Sequence, residues 1–168
     1  VLCVKGSGWD MAEIEPEGLP AVKLEPLLAL KKKKYLSDED MVSYQKRNLI
    51  NIKSPNPSVE TFLHAFLPFK YVDHTHADAV MNITNRPGGL SFCKKIFGKK
   101  ASIVPYVMPG FMLAKKINEV YSNNPNIECL ILMNHGIFTF SNDCKESYDL
   151  MIKYVSKAER AIKKLKSK

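Results

Sequence analysis

Apolar and polar residues alternate along this chain with two different periods, one typical of strands and one typical of helices. The strongest strand signal, at residues 128–133, predicts a buried strand, and a second strand is expected close behind it. The predicted strands are, in chain order, 1–5, the segment AVKL, 71–76, 102–107, 128–133 and 137–140.

Helices are predicted where apolar residues recur every three or four positions. Ser37 and Asp40 have the spacing of a capping box, which predicts a helix that runs to about Leu49. Pro57 stands where a helix can begin, and the residues after it give that helix an apolar face. Further helices are predicted at 77–84, 90–97, 111–121 and 143–165. Strands and helices mixed in this way predict one α/β domain with helices packed on a central sheet.

Composition narrows the class of protein. With 168 residues, 45% of them hydrophobic and 25% charged, the chain has the make-up of a globular domain. No apolar run is long enough to span a membrane, and the first residues lack the pattern of a signal peptide. The four cysteines occur singly, which favours a reducing cytoplasm over a disulfide scaffold. Cys3 and Cys129 lie in apolar strand-like runs, so both are expected to be buried free thiols.

The formal net charge of +8 raises the question of a nucleic-acid partner. The lysines concentrate in one run, 31–34, and in the last predicted helix, and neither stretch carries the interleaved aromatic and glycine residues of an RNA-binding sheet. We therefore expect a solvated lysine-rich surface and no nucleic-acid partner. The same positive field would attract an anionic small molecule.

Two of the four histidines form the segment Asp73-His74-Thr75-His76. Residues two apart on a strand project from the same face, so His74 and His76 can bind one ion. A third ligand is needed, and His135 lies at the end of the most apolar strand. The spacing alone leaves two interpretations open, a divalent metal site or ordinary histidines at strand ends.

Candidate acid and anion-binding groups lie nearer the start of the chain. Glu60 is either a helix N-terminal acid favoured by the helix dipole or a general base. Ser7 and Gly8 in the turn Gly6-Ser7-Gly8, together with Ser58, could offer amides and hydroxyls to a phosphate. Each of these features is weak alone.

The order of these motifs, GSG, then PSVE, then HTH, then NHG, resembles the class II aldolase/adducin-like family over nearly the whole chain. The longer strings KGSGWDM, NPSVETFLHAFLP, VDHTHADAV, VPYVMPGF and NHGIFTF look closest to the aldolase half of bifunctional rhamnulose-1-phosphate aldolase/alcohol dehydrogenase proteins. The resemblance implies a three-layer α/β/α sandwich with a largely antiparallel central sheet. It also implies four-fold homo-oligomers, and a chain whose single domain, residues 1–168, lacks the family's N-terminal glycine-asparagine segment.

Carried over residue by residue, the resemblance makes His74, His76 and His135 the ligands of Zn²⁺ or another divalent ion. Glu60 matches the catalytic carboxylate, while Ser7, Gly8 and Ser58 match the phosphate-binding residues. The implied reaction is cleavage of a ketose 1-phosphate, rhamnulose 1-phosphate, to dihydroxyacetone phosphate and lactaldehyde. Sugar-phosphate epimerases, a dehydratase and non-catalytic adducin-like members of the same family are the alternatives.

Overall fold

The computed structural model describes residues 1–166 of the chain, and the side chains of residues 1–165. These residues form two compact units. Unit 1 comprises Val1–Phe66 and Val107–Asn118, and unit 2 comprises Leu67–Tyr106 and the chain from Glu119 onward. No helix within the described range combines the length and the apolar composition needed to cross a bilayer. That the whole chain is a single domain stays a prediction.

Unit 1 contains a two-stranded antiparallel sheet and helices. Its elements are β1 (Leu2–Cys3), β2 (Ala21–Val22), α1 (Leu24–Ala29), α2 (Asp38–Arg47), α3 (Thr61–Phe66) and the first part of α6 (Phe111–Asn123). The rings of Phe62, Phe66 and Phe111 meet edge to face, with centroids 5.5–6.0 Å apart, and are buried. This aromatic cluster joins α3 to α6 in the core of the unit.

Two local predictions in unit 1 are decided by the structure. The N-cap half of the predicted capping box is confirmed, because the Ser37 hydroxyl accepts a hydrogen bond of 3.1 Å from the amide of Asp40 at the start of α2. The expected helix start at Pro57 is wrong, because Pro57 forms a β-bridge with Gly6 and α3 begins only at Thr61.

Unit 2 is a four-stranded sheet with helices. Its strands are β3 (Tyr71–Thr75), β4 (Ala101–Val104), β5 (Cys129–Leu132) and β6 (Gly136–Ser141), in the spatial order β3-β6-β5-β4. Its helices are α4 (Asp78–Thr84), α5 (Gly89–Phe97) and α7 (Cys144–Lys166). The β3–β6 and β6–β5 pairs are antiparallel and the β5–β4 pair is parallel, so the predicted α/β class with a largely antiparallel sheet is confirmed.

One face of this sheet packs on the helices. Its buried core includes Cys129, Ile131 and Ile137 from the sheet, and Val80, Phe97 and Tyr154 from α4, α5 and α7. Burial raises the pKa of the Cys129 thiol well above its usual range, so Cys129 is the buried thiol that the sequence predicts. The same prediction for Cys3 is wrong: β1 is one of only two strands in its small sheet, and Cys3 is exposed.

Candidate metal centre

A tight hairpin positions His135. Strands β5 and β6 are joined by three residues, with Leu132 and Gly136 paired across the turn. Asn134 adopts a left-handed conformation with φ 58°, which asparagine tolerates better than most residues. The amide of His135 donates to the carbonyl of Leu132 at 3.2 Å, which closes the turn. His135 is the last residue of this turn and is buried, with 7% of its surface exposed.

The register of β3 on β6 carries His74 and His76 to the same end of the sheet. His74 pairs with Phe138 and Thr75 pairs with Ile137 in the antiparallel ladder. His76 lies one residue beyond the end of β3. The two histidine motifs are distant in sequence, and this pairing brings them together within unit 2.

The three imidazoles converge on one point. Their ring centroids are 4.8 Å apart for His74 and His76, 5.2 Å for His74 and His135, and 4.9 Å for His76 and His135. Each ring offers a nitrogen, and these nitrogens lie within 4.8 Å of one another. Small side-chain rotations bring nitrogens at this spacing to the separation of ligands that share one ion, with metal–nitrogen distances of about 2.0–2.1 Å.

A backbone contact fixes the tautomer of His74. Its Nδ1 lies 2.9 Å from the carbonyl oxygen of Ile137. A carbonyl oxygen only accepts hydrogen bonds, so Nδ1 carries a proton, and Nε2 is the nitrogen that has the lone pair in the neutral ring. This is the form in which histidine binds metals, with the second ring nitrogen held by a carbonyl.

Gly136 leaves the space that two of the imidazoles occupy. A Cβ atom at this position would lie 2.5 Å from the carbonyl oxygen of Thr75, and 3.1–3.2 Å from the rings of His76 and His74. The sequence marked Gly136 only as part of the strand junction, and its role as clearance for the histidines was not predicted. The donor set and this clearance both fit a divalent ion held by the three histidines.

The residues predicted to bind phosphate lie side by side in unit 1. The amide of Ser7 donates to the carbonyl of Asn56 at 2.8 Å, and the amide of Ser58 donates to the carbonyl of Lys5 at 3.1 Å. Gly8 has φ 82°, a left-handed conformation that favours glycine and turns the chain after Ser7. Two predicted segments, the GSG turn and the PSVE segment, are therefore held together by backbone hydrogen bonds.

Glu60 also belongs to unit 1 and immediately precedes α3. Its amide donates to the hydroxyl of Ser58 at 3.1 Å, and its carbonyl accepts from Leu63 at 2.8 Å. The half-buried carboxylate therefore stands at a helix start, as the sequence predicted. The catalytic role of Glu60 and the phosphate-binding roles of Ser7, Gly8 and Ser58 stay predictions.

The sequence and the fold of this chain are similar to those of known proteins. The profile described as Class II Aldolase and Adducin N-terminal domain matches residues 1–162. The solved N-terminal class II aldolase domain of a conserved Thermoplasma acidophilum protein is 41% identical, with a TM-score of 0.88 over 95% of this chain and 74% of that one. The structure of L-fuculose-1-phosphate aldolase from Thermus thermophilus shares the fold at 16% identity, with a TM-score of 0.59 over 94% of this chain and 75% of that one.

A longer bacterial protein is also similar. The "uncharacterized oxidoreductase YuxG" of Bacillus subtilis (strain 168) is 40% identical over 162 residues, which is 96% of this chain. The chain spans only 24% of the length of that protein.

Proposed function

The chain belongs to the class II aldolase and adducin family, and from this premise we propose that it is a zinc-dependent aldolase that cleaves a ketose 1-phosphate. The observation that carries the proposal is the convergence of three imidazole nitrogens within 4.8 Å of one another, in a chain of this family. The hydrogen bond from His74 Nδ1 to the Ile137 carbonyl supports it, because it leaves Nε2 ready to bind a metal.

His74, His76 and His135 would hold the ion, and three neutral imidazoles would leave its positive charge intact. When bound, a divalent ion supplies Lewis-acid stabilisation of negative charge on substrate oxygens. Zinc suits three nitrogen ligands with an open position, and iron, cobalt and nickel accept imidazole as well.

The remaining roles fall to residues of unit 1. Ser7, Gly8 and Ser58 are proposed to anchor the substrate phosphate through their hydroxyls and backbone amides. Glu60 is proposed to move the proton at the carbon that gains the electron pair. Its place beside Ser58 supports this assignment, because the amide of Glu60 and the hydroxyl of Ser58 are hydrogen bonded.

The reaction is a retro-aldol cleavage. The bond between C3 and C4 of the ketose breaks, its electron pair goes to C3, and the C4 hydroxyl loses its proton as the C4 aldehyde forms. A proton added at C3 completes dihydroxyacetone phosphate. Rhamnulose 1-phosphate, the proposed substrate, gives lactaldehyde as the other product, and the resemblance of NPSVETFLHAFLP and NHGIFTF to the rhamnulose branch supports this choice.

An assay of dihydroxyacetone phosphate release from rhamnulose 1-phosphate and from fuculose 1-phosphate, with the zinc-loaded chain, tests the proposal. We expect release from rhamnulose 1-phosphate, and a loss of at least about 100-fold in kcat for Glu60→Gln with zinc still bound. Glu13→Gln, at an exposed position of unit 1, is the control. A zinc-loaded chain that cleaves neither sugar phosphate would contradict the aldolase assignment.

From the family resemblance we also propose a four-fold homo-oligomer with a phosphorylated sugar as its partner. From the single cysteines, the clustering of the lysines and the lack of a long apolar run, we propose a cytoplasmic location without a nucleic-acid or membrane partner. Light scattering of the purified chain tests the assembly, and a monomer would overturn it.

A further inference from the structure

Phe138 stacks on the ring of His74. The two residues are direct partners in the β3–β6 ladder. Their ring centroids are 4.1 Å apart and their planes differ by only 13°, while Phe138 is fully buried. Stacked rings at this distance resist rotation of either one, because rotation would cost the contact and meet close-packed neighbours.

The stack acts together with the backbone contact of the next residue. His74 Nδ1 is held by the carbonyl of Ile137, which directly precedes Phe138 on β6. The hydrogen bond fixes which ring nitrogen points away from β6, and the stack fixes the plane in which that nitrogen lies. Both restraints act on the His74 ring. The Cε1 atom of this ring also lies 3.2 Å from the point that a Cβ atom would occupy on residue 136.

We infer that Phe138 is a positioning residue for the metal centre, which fixes the plane of the His74 imidazole so that Nε2 is oriented for an ion before the ion binds. The inference rests on the proposed metal site. Phe138 itself contributes no ligand atom, so its effect on metal affinity is expected to be that of an outer partner of a ligand, about 10–100-fold.

Phe140 offers a matched control on the same strand. It lies two residues along β6, so it projects from the same face of the sheet as Phe138, and it is 3% exposed. Phe140 pairs with Val72 in the ladder and stacks on Phe69, with centroids 4.6 Å apart and planes 25° from parallel. Phe138 and Phe140 are thus the same residue type on the same face of β6, and both are buried. Phe138 stacks on a histidine, whereas Phe140 stacks on Phe69 and meets Tyr121 edge to face at 5.7 Å.

The test compares Phe138→Leu with Phe140→Leu in the full chain, by competition for Zn²⁺ against a chelator. The apo proteins are also compared by thermal unfolding, and the cobalt-loaded proteins by their visible absorption bands. We expect similar losses of thermal stability, zinc affinity at least about 10-fold weaker for Phe138→Leu only, and altered cobalt bands for that variant alone. If Phe138→Leu does not fold, Phe138→Met replaces it.

Three results would overturn the inference. The first is an unchanged zinc affinity in Phe138→Leu, and the second is an equal loss of zinc affinity in Phe140→Leu. Either result would mean that Phe138 is an ordinary core residue, and neither would contradict the metal site. A wild-type chain that binds no zinc would overturn the metal site itself, and with it the role of Phe138.

Discussion

The two ends of strand β5 carry polar clusters of opposite kinds. At its start, the carboxylate of Glu128 accepts hydrogen bonds from Lys153 Nζ at 2.5 Å and from the hydroxyl of Tyr154 at 2.9 Å. Beyond its end, His135 meets two more imidazoles. The first cluster combines one acceptor with two donors and opposite charges, whereas the second gathers three groups of one kind.

The composition of each cluster separates a structural cluster from a candidate ligand site. In the Glu128 cluster the hydrogen bond from Lys153 holds the pKa of the Glu128 carboxyl below its usual value, and burial raises the pKa of the Tyr154 hydroxyl far above its own. Its charges are thus matched within the protein. Three imidazoles gathered at one end of the sheet have instead the composition of a set that binds an ion from outside.

The largest effect is expected when two of the three histidines are removed. The double variant His74→Ala, His76→Ala is expected to lose more than about 100-fold in zinc affinity, because even outer partners of ligands cost about 10–100-fold. Chelator competition measures it. Glu128→Gln, at the other end of β5, serves as the control and should bind zinc like the wild type; equal binding by the double variant would refute the assignment.

A smaller effect is expected from filling the space at Gly136. Gly136→Ala places a Cβ 2.5 Å from the carbonyl of Thr75, so β3 must move. We expect a loss of about 1–3 kcal/mol in the free energy of unfolding, and weaker zinc binding, measured by urea denaturation and chelator competition.

Gly89→Ala is the matched control for this substitution. Its Cβ would lie 2.7 Å from the carbonyl of Ile83 and 2.8 Å from that of Thr84. It should destabilise unit 2 while zinc affinity stays unchanged. Zinc binding impaired equally in both variants would mean that general loss of stability, and not the histidine geometry, is responsible.

At the other end of β5, Tyr154→Phe is expected to cost about 1–2 kcal/mol of stability, because it removes a hydrogen bond to a charged group. Urea denaturation of the apo protein measures the loss. Zinc affinity should not change, and a change would show that the two clusters are coupled.

The smallest expected effect is a dependence on pH. Because the pKa of Glu128 is lowered on folding from its ordinary value of 4.5, its contribution to stability is present above that value and is lost as the pH falls through the folded pKa. The stability difference between wild type and Glu128→Gln, followed by thermal unfolding, should therefore shrink only below about pH 4.5. A difference that persists unchanged at lower pH would contradict the role of the ionised carboxylate.

Structural features that depend on residues close in sequence could be predicted here, and features that depend on contacts between distant segments could not. The helix cap at Ser37 is local, and it is found where its spacing places it. The alternation of β3 predicts that His74 and His76 share a face, although His76 lies just past the strand. The predicted helix start at Pro57 was wrong because Pro57 pairs with Gly6, which is distant in sequence.

The least predictable features depend on strand register. Nothing in the apolar run 137–140 distinguishes Phe138 from Phe140, because the pairing of β3 with β6 alone decides which ring meets His74. The need for glycine at position 136 also depends on strand register. A Cβ atom there would meet atoms of β3 and of His76, the residue that follows β3.

The other proposals depend on a metal site formed by His74, His76 and His135. Elemental analysis of the chain, purified without a histidine tag, is the measurement that we would make first. We expect about one zinc per chain. A chain that holds no metal, even after zinc is added, would contradict it and leave the family's fold without its metal chemistry.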